Sequence, residues 1–258
     1  KTLHRFFQKY DADKILLYGY PKSGNTWLRF LLYNYLNLLM NPKLVSTISY
    51  NQLNELQNNV MDRSTTFIPK EGFPFFYRTH KSYNKSYNLF DFKIFIHRNP
   101  LDTLVSSYYF YKQRKEPFEN DKISFRKELH DINFYVKYKI DEWIGFFDIS
   151  VKKSDFIINY SDLREDPLLL LSRLIKRLGW DYKEDIVAKS ITLSSFDNVK
   201  KMAKEKNQNY GNGPKDGSFF GVFNRSGADG QYRDELDVET INFVFKRFSK
   251  FNELYTSF

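Results

Sequence analysis

Short apolar runs that predict buried strands alternate along the chain with longer segments of helical periodicity. The predicted strands cover residues 14–19, 74–80, 92–98 and 155–160. The predicted helices cover residues 25–40, 50–59, 99–114, 125–148, 166–179, 194–206 and 236–250. Alternating strands and helices predict an α/β fold of three layers, in which helices flank a central, mainly parallel sheet. Neither a repeat nor a linker divides the chain, so we expect a single domain over residues 1–258.

The segment YPKSGNTW, residues 20–27, connects the first predicted strand to an apolar helix. A helix N-terminus carries unpaired N–H groups and partial positive charge, which suits an anion. Lys22 adds a full charge, and Ser23 and Thr26 add hydroxyl donors. The turn therefore predicts a P-loop-like site for phosphate or sulfate. The alternative is a plain connection, in which Ser23 and Gly24 are ordinary turn residues and Thr26 caps the helix.

Two more residues with basic side chains end predicted strands. His80 closes the second predicted strand, and Arg98 closes the third, with Ser106 two turns into the following helix. Ligands of open α/β sheets bind outside the carboxyl ends of the strands. We therefore expect Lys22, His80 and Arg98 to share one rim of the sheet. The alternative for Arg98 is a surface ion pair with Asp102, four residues further on.

A glycine-rich loop at residues 207–230 is the third candidate segment. It contains the sequence NRSGADGQYR, with Arg225, Gly227 and Gly230. Glycines let backbone N–H groups approach a phosphate closely. A loop of this length inside a compact domain is usually functional or disordered, so disorder is the alternative here.

The composition narrows the choice of function. The chain has no cysteine, which excludes disulfides, thiolate nucleophiles and zinc–thiolate sites, and none of its four histidines pair at a helical metal-binding spacing. Neither a membrane-spanning run nor a signal peptide is evident, so we expect a cytoplasmic protein without a membrane partner. The net charge of +9 is compatible with nucleic acid, an anionic surface or a polyanionic small ligand.

The three segments together resemble the motifs of the PAPS-dependent sulfotransferase family, in particular its cytosolic type. YPKSGNTW is similar to the 5′-phosphosulfate loop YPKSGTTW, with Asn25 in place of the first Thr. RNPLDTLVSSYY resembles the 3′-phosphate motif, with its Arg and Ser at the same spacing. RSGADGQYR resembles R-K-G-x-x-G-D-W-K, in which Ser226, Gln231 and Tyr232 replace Lys, Asp and Trp. The resemblance covers about residues 14–250.

This resemblance implies PAPS (3′-phosphoadenosine 5′-phosphosulfate) as co-substrate, PAP as product, and no required metal. Lys22 is implied to contact the 5′-phosphosulfate and to stabilise charge on the leaving phosphate. The residues implied to cradle the same group are Ser23, Gly24, Asn25 and Thr26. Those implied to hold the 3′-phosphate are Arg98, Ser106, Arg225, Ser226 and Gly227. Those implied to contact adenine or the rest of the nucleotide are Trp27, Tyr160, Ser195 and Phe196.

The tripeptide RTH, residues 78–80, resembles the family's K-T-H, whose histidine is the general base; Arg78 replaces the Lys. Imidazole suits this role because a hydroxyl must lose its proton as it attacks sulfur. His97 is the competing candidate. Neighbouring residues of a strand point to opposite faces, so His97 should point away from the nucleotide if Arg98 faces it. We therefore expect His80 to be the base of an in-line transfer without a covalent enzyme intermediate.

Two other function classes stay open at this point. A P-loop kinase would carry G-x-x-x-x-G-K-[ST], whereas here the lysine precedes the glycine. A non-catalytic polyanion- or RNA-binding module would suit the net charge, but the basic residues are scattered and no RNA-recognition signature is present.

We expect a small-molecule acceptor, with natural products as the favoured class and with either a hydroxyl or an amine as the attacking group. No nucleic-acid partner is expected. The aromatic clusters at residues 73–77 and 108–111 either line the acceptor pocket or belong to the core. The segment RDELDVETIN keeps only the Val of the family's dimer motif, so the oligomeric state stays open.

Overall fold

A parallel β-sheet forms the centre of the protein. The computed structural model describes residues 13–55, 58–59, 74–112, 130–204 and 227–255. In these ranges the sheet has five strands: β1 (Lys14–Tyr18), β2 (Asn58–Asn59), β3 (Phe75–Thr79), β4 (Phe92–His97) and β5 (Phe156–Asn159). Their order across the sheet is β2-β3-β1-β4-β5, and every neighbouring pair is parallel.

Helices connect the strands and cover both faces of the sheet. The longer helices are α1 (Asn25–Met40), α3 (Pro100–Lys112), α4 (Ile132–Lys153), α6 (Pro167–Arg177), α7 (Glu184–Leu193), α8 (Phe196–Lys204) and α10 (Val238–Arg247). The shorter ones are α2 (Tyr50–Glu55), α5 (Tyr160–Glu165), α9 (Tyr232–Glu235), α11 (Phe251–Tyr255) and a 3₁₀ turn (Lys85–Leu89). No helix in the described ranges is both long enough and apolar enough to cross a membrane.

The alternation of side chains along each strand divides the core into two clusters. Ile15 and Leu17 of β1 pack on one face of the sheet, against α1, α6 and α7. Leu16 and Tyr18 pack on the other face, against α3, α4 and the C-terminal helices. The protein therefore has a helix–sheet–helix arrangement, which confirms the α/β fold with three layers that the sequence predicts.

Helix α1 is buried on nearly all sides, as its sequence predicts. It lies next to β1 in the chain and packs against α7. Asn34 is a polar exception in its interior: its amide donates to Thr47 Oγ1 (3.0 Å) and to Ser194 Oγ (2.9 Å). Its carbonyl oxygen accepts the Ile48 N–H at 3.0 Å. Because these groups satisfy the buried amide, Asn34 fixes α1 relative to two loops.

Capping side chains decide two element boundaries that the periodicity places wrongly. The predicted helix 125–148 begins at Ile132, because the Asp131 side chain caps it by accepting the Phe134 N–H at 2.6 Å, and it extends further than predicted, to Lys153. Residues 125–129 of that prediction lie outside the described ranges. The predicted strand 155–160 ends at Asn159, whose side chain accepts the Ser161 N–H at 3.1 Å.

Other predictions also need correction. The predicted helix 50–59 ends at Glu55, and Asn58–Asn59 pairs with β3 as a short strand. Four helices, α5, α7, α9 and α11, and the 3₁₀ turn are absent from the sequence prediction. For the aromatic cluster 73–77 the sequence leaves pocket or core open, and the 1–3% exposure of Phe75, Phe76 and Tyr77 places these three residues in the core.

A truncation in α1 tests the packing of the first cluster. Leu31 is fully buried, so we expect Leu31→Ala to lower the free energy of unfolding by about 2–5 kcal/mol. Met40 is the last residue of the same helix and is 52% exposed, so Met40→Ala should change the free energy of unfolding by less than about 0.5 kcal/mol. Chemical denaturation followed by circular dichroism measures both variants. Equal losses in the two variants would contradict this packing.

Candidate functional site

The turn between β1 and α1 has an unusual backbone. Lys22 has φ 73° and Gly24 has φ 99°, so two residues of this turn lie in the left-handed region. Ser23, between them, donates its N–H to Tyr20 O at 3.3 Å. A non-glycine residue such as Lys22 holds this conformation at a cost of about 1–2 kcal/mol. Backbone strain of this kind concentrates at functional sites, where the surrounding structure maintains it.

The Ser23 side chain provides a test of the predicted anion site. Ser23 is fully buried, and its hydroxyl has no hydrogen-bond partner among the described residues. A buried hydroxyl left unsatisfied costs about 1–3 kcal/mol, which a phosphate oxygen of a ligand would recover. Helix α1 begins directly afterwards, at Asn25, and its N-cap residue, Gly24, has no side chain that could cap the helix. The residues present therefore fit a phosphate or sulfate at this turn.

The Lys22 side chain extends from the turn towards α3. Its Nζ lies 4.8 Å from the ring centroid of Phe110, within the range of a cation–π contact. Phe110 belongs to the predicted aromatic cluster 108–111, of which Tyr108 is buried and the other three residues are half-buried. The charge of Lys22 is thus held beside a partly open aromatic surface.

The Tyr160 ring packs against the turn at Gly24. A methyl group on Gly24 would overlap this ring, at 2.9 Å from Cε2 and closer still to Cδ2. The Tyr160 hydroxyl donates to Gly227 O at 3.0 Å, and the Arg98 guanidinium carbon lies 4.9 Å from the ring centroid. Tyr160 thereby joins three segments that are far apart in the sequence. Its position as the first residue of α5 follows from the cap at Asn159.

Two further aromatic side chains lie next to Tyr160. The Trp27 ring meets it edge-on with centroids 5.8 Å apart, and Trp27 Nε1 donates to Ser194 O at 3.0 Å. Phe196, at 40% exposure, has ring atoms 3.9 Å from where a Cβ on Gly227 would lie. Aromatic rings such as these suit stacking against a planar apolar group such as a purine base.

Ser195 and Ser106 are two further predicted nucleotide contacts. The Ser195 hydroxyl accepts the Asn198 N–H at 3.3 Å and thus caps α8. Ser106 lies on α3, two turns beyond Arg98, and is half-buried. Arg225 and Ser226 lie outside the described residues, so their predicted contacts with a phosphate stay predictions.

Arg98 is buried and surrounded by acceptors. Its side chain is 6% exposed, and its Nε lies 3.3 Å from Asp229 Oδ1. Its Nη2 donates to Ala228 O and lies 3.9 Å from Asp102 Oδ2. The pair with Asp102 that the sequence suggests is therefore present. It is not a surface pair, however, because the Asp102 side chain is only 1% exposed.

Asp102 fixes the loop that follows Gly227. Its carboxylate accepts the backbone N–H groups of Gly230 at 2.8 Å and Tyr232 at 3.2 Å. Burial raises the pKa of Asp102, while the Arg98 charge and these two hydrogen bonds oppose that rise. Gly230, one of the loop glycines predicted to approach a phosphate, is thus hydrogen-bonded to the first turn of α3. The sequence analysis treats Asp102 only as an ion-pair partner of Arg98 and misses this role.

The two histidines near the strand ends have different environments. His80 Nδ1 lies 2.9 Å from Gly19 O, beside the turn. His97 is 6% exposed on the opposite face, with Nδ1 2.6 Å from the Tyr255 hydroxyl and its ring edge-on to Phe147. Burial lowers the pKa of His97 to about 3. His97 therefore packs in the core, on the other side from Arg98, as the strand alternation predicts.

His80 is exposed, yet its pKa is lowered to about 4, first by desolvation of the ring. The hydrogen bond to Gly19 opposes this shift and raises the pKa, while the positive charges of Arg78, Arg29 and Lys22 each lower it by a smaller amount. Solvent that reaches an exposed residue screens part of these charges. With its pKa lowered from 6.5, the imidazole is neutral at pH 7.

A model of the sulfotransferase domain matches residues 12–255 of the chain. The chain belongs to the sulfotransferase family. It is 26% identical to flavonol 4′-sulfotransferase from Flaveria chlorifolia, over 78% of this chain and 68% of that protein. It is 27% identical to cytosolic sulfotransferase 17 from Arabidopsis thaliana, over 79% of this chain and 64% of that protein. The matched regions thus span about two thirds of each relative.

The fold is similar to that of mouse sulfotransferase SULT7A1, solved in complex with PAP. The TM-score is 0.64 at 19% sequence identity, over 98% of this chain and 89% of that chain. These matches confirm the predicted family, a PAPS-dependent sulfotransferase of cytosolic type, and its α/β fold. The kinase and RNA-binding alternatives are therefore set aside in favour of a sulfotransferase.

A methyl group added at Gly24 tests the geometry of the turn. Gly24→Ala forces a side chain into the left-handed region and against Tyr160, so it should lower the free energy of unfolding by at least about 1 kcal/mol. Gly145, inside α4, has open space around its Cβ position, so Gly145→Ala should raise stability by about 0.5–1 kcal/mol. Chemical denaturation compares the two. A neutral or stabilising Gly24→Ala would show that the turn is not constrained in this way.

Proposed function

We propose that this sulfotransferase transfers a sulfuryl group from PAPS to the hydroxyl or amine of a small-molecule acceptor, with His80 as the general base. The hydrogen bond between His80 and Gly19 is the observation that carries this assignment. A carbonyl oxygen only accepts, so Nδ1 bears the proton and Nε2 is left with its lone pair. Among the described residues, no hydrogen bond from the protein occupies this Nε2.

The same hydrogen bond fixes the base relative to the donor site. Gly19 directly precedes the turn that carries Lys22 and Ser23. A base attached there lies beside the phosphosulfate turn, where an acceptor hydroxyl must approach sulfur in line with the leaving phosphate. His80 Nε2 takes the proton of that hydroxyl, and Lys22 stabilises the negative charge that grows on the phosphate.

The remaining site residues are proposed as nucleotide contacts. The buried Ser23 hydroxyl and the start of α1 support phosphosulfate binding by Ser23, Gly24, Asn25 and Thr26. The contact between the Trp27 and Tyr160 rings, and the position of Phe196 near Gly227, support adenine binding by these three aromatic residues, with Ser195 next to Phe196 in the chain. The buried guanidinium of Arg98, next to Gly227, supports 3′-phosphate binding, in which Ser106, Arg225 and Ser226 are included from the motifs alone.

A phenolic acceptor is the class that we favour. The flavonol 4′-sulfotransferase among the relatives takes its name from a phenolic substrate. In this chain the half-buried Phe110 ring lies on the side of α3 that Lys22 reaches, and such a ring suits a planar acceptor. We further propose that residues 1–258 form one domain and that the protein is cytoplasmic, as the name of the Arabidopsis relative suggests.

Substitution of the two histidines tests the assignment of the base. His80→Ala should lower turnover by roughly 10²-fold to 10⁴-fold and leave PAP affinity nearly unchanged, because Nε2 faces the acceptor. His97→Ala should lower stability but keep most of the turnover per folded molecule. Lys22→Ala should lower both PAP affinity and turnover, because the Lys22 ammonium interacts with negative charge on the phosphate in the ground state and in the transition state.

The assay follows label transfer from PAPS, at saturating concentration, to a panel of phenols, alcohols and amines, with folding checked by circular dichroism. An active His80→Ala beside an inactive His97→Ala would assign the base to His97. If both variants keep full activity on a phenol, the general-base role is wrong. If no acceptor in the panel is labelled, the acceptor class is wrong.

The lowered pKa of His80 predicts the pH dependence of the reaction. Only the neutral ring accepts a proton, so kcat/KM should fall on the acid side with an apparent pKa below the ordinary 6.5. Arg78→Gln removes a positive neighbour and should move this acid limb to higher pH, whatever its effect on the maximal rate. A pH–rate profile of both proteins measures the shift. A limb at or above 6.5 in the unsubstituted enzyme would contradict the electrostatic argument.

A further inference from the structure

A carboxylate lies between two arginines at the place proposed for the 3′-phosphate. Asp229 Oδ1 is 3.3 Å from Arg98 Nε, and its other oxygen, Oδ2, is 3.3 Å from Nη1 of Arg164. The Asp229 side chain is 24% exposed, and that of Arg98 is 6% exposed. Two guanidinium groups that share one carboxylate form the arrangement in which proteins also hold a phosphate. The sequence motifs give a role to Arg98 but none to Asp229, which is an unassigned position of the segment RSGADGQYR, and none to Arg164.

Arg164 and Tyr160 both contact the loop that begins at Gly227. Arg164 Nη1 donates to Gly227 O at 3.3 Å, and the Tyr160 hydroxyl donates to the same oxygen at 3.0 Å. The Arg164 side chain is 46% exposed, so its head can move by rotation about its own bonds. Arg98, in contrast, is fixed over the Tyr160 ring. The pair thus combines one rigid and one adjustable cation.

From this arrangement we infer that Asp229 is an internal anion in the position of the 3′-phosphate, and that Arg164 is a further ligand of that phosphate. The inference rests on the proposed assignment of Arg98 to the 3′-phosphate. A phosphate and a carboxylate at this distance repel each other, so nucleotide binding displaces Asp229 from both arginines. The loop stays attached meanwhile, because Asp102 holds the N–H groups of Gly230 and Tyr232 independently.

This exchange affects only nucleotides that carry a 3′-phosphate. PAP must displace Asp229, whereas AMP, which lacks the 3′-phosphate, leaves the ion pairs intact. Asp229 therefore weakens the binding of PAP and not that of AMP, and Arg164 strengthens the binding of PAP alone. The ratio of the two dissociation constants isolates the effect, because contacts with adenine and the 5′-phosphate are common to both ligands.

Calorimetric titration of the whole chain with PAP and with AMP tests the inference. Asp229→Asn keeps the side-chain shape and removes the charge, so it should tighten PAP by about threefold to tenfold, with AMP unchanged. Arg164→Gln should weaken PAP by a similar factor, with AMP again unchanged. Arg173→Gln is the matched control: this exposed arginine on α6 has no ion pair among the described residues and should change neither constant.

Other outcomes separate the two levels of the proposal. If Asp229→Asn weakens PAP and AMP equally, Asp229 only fastens the loop and the inference is wrong. If Arg164→Gln leaves PAP unchanged or tightens it, Arg164 is not a phosphate ligand. Arg98→Gln tests the underlying assignment: an unchanged PAP-to-AMP ratio would overturn the proposed 3′-phosphate site itself. If Arg98→Gln abolishes the preference for PAP over AMP but Asp229→Asn has no effect, the 3′-phosphate site stands and only the inference about Asp229 is wrong.

Discussion

The contact between the Tyr160 ring and Gly24 is the constraint on which the site depends. Only a residue without a side chain allows the turn to lie against the ring, since a Cβ there would overlap it. The same ring supports Arg98 and, through its hydroxyl, Gly227. Burial raises the pKa of this hydroxyl, so it stays protonated and keeps donating its hydrogen bond. One side chain thereby sets the distance between the turn, the strand end and the late loop.

The strand order explains why residues far apart in sequence meet at this rim. β1 lies between β3 and β4, and all three run in the same direction. Their carboxyl ends therefore place Lys22, His80 and Arg98 along one edge, as expected for ligand sites in open α/β sheets. β5 adds Tyr160 at the next position. Parallel pairing needs helical crossovers, and α1, which makes the first one, also supplies the helix start beside the phosphate turn.

Sequence reasoning predicts those features that depend on local patterns. The four longer strands, α1, and the placement of His80 and His97 on opposite sides follow from apolar runs, a turn signature and strand alternation. Features set by contacts between distant segments are missed. The role of Asp102 depends on Gly230, and that of Asp229 on Arg164. The Asn159 cap is a local signal, but the apolar periodicity of the strand leads the prediction to extend the strand past it. The prediction omits α7 because flanking polar residues obscure the apolar face of this helix.

The clustering of cations reconciles two requirements of the proposed chemistry. A donor with several negative charges needs positive groups, and Lys22 and Arg98 supply them. A general base must be neutral before it acts, and nearby negative charge would favour its protonation. At His80 desolvation of the ring is the main cause that opposes protonation, the charges of Arg78, Arg29 and Lys22 add to it, and the Gly19 carbonyl fixes the tautomer. The positive charges that suit an anionic donor therefore also help to keep the histidine in the form that accepts a proton. When the donor binds, its negative charge offsets part of this effect, so the base becomes stronger as the acceptor site is completed.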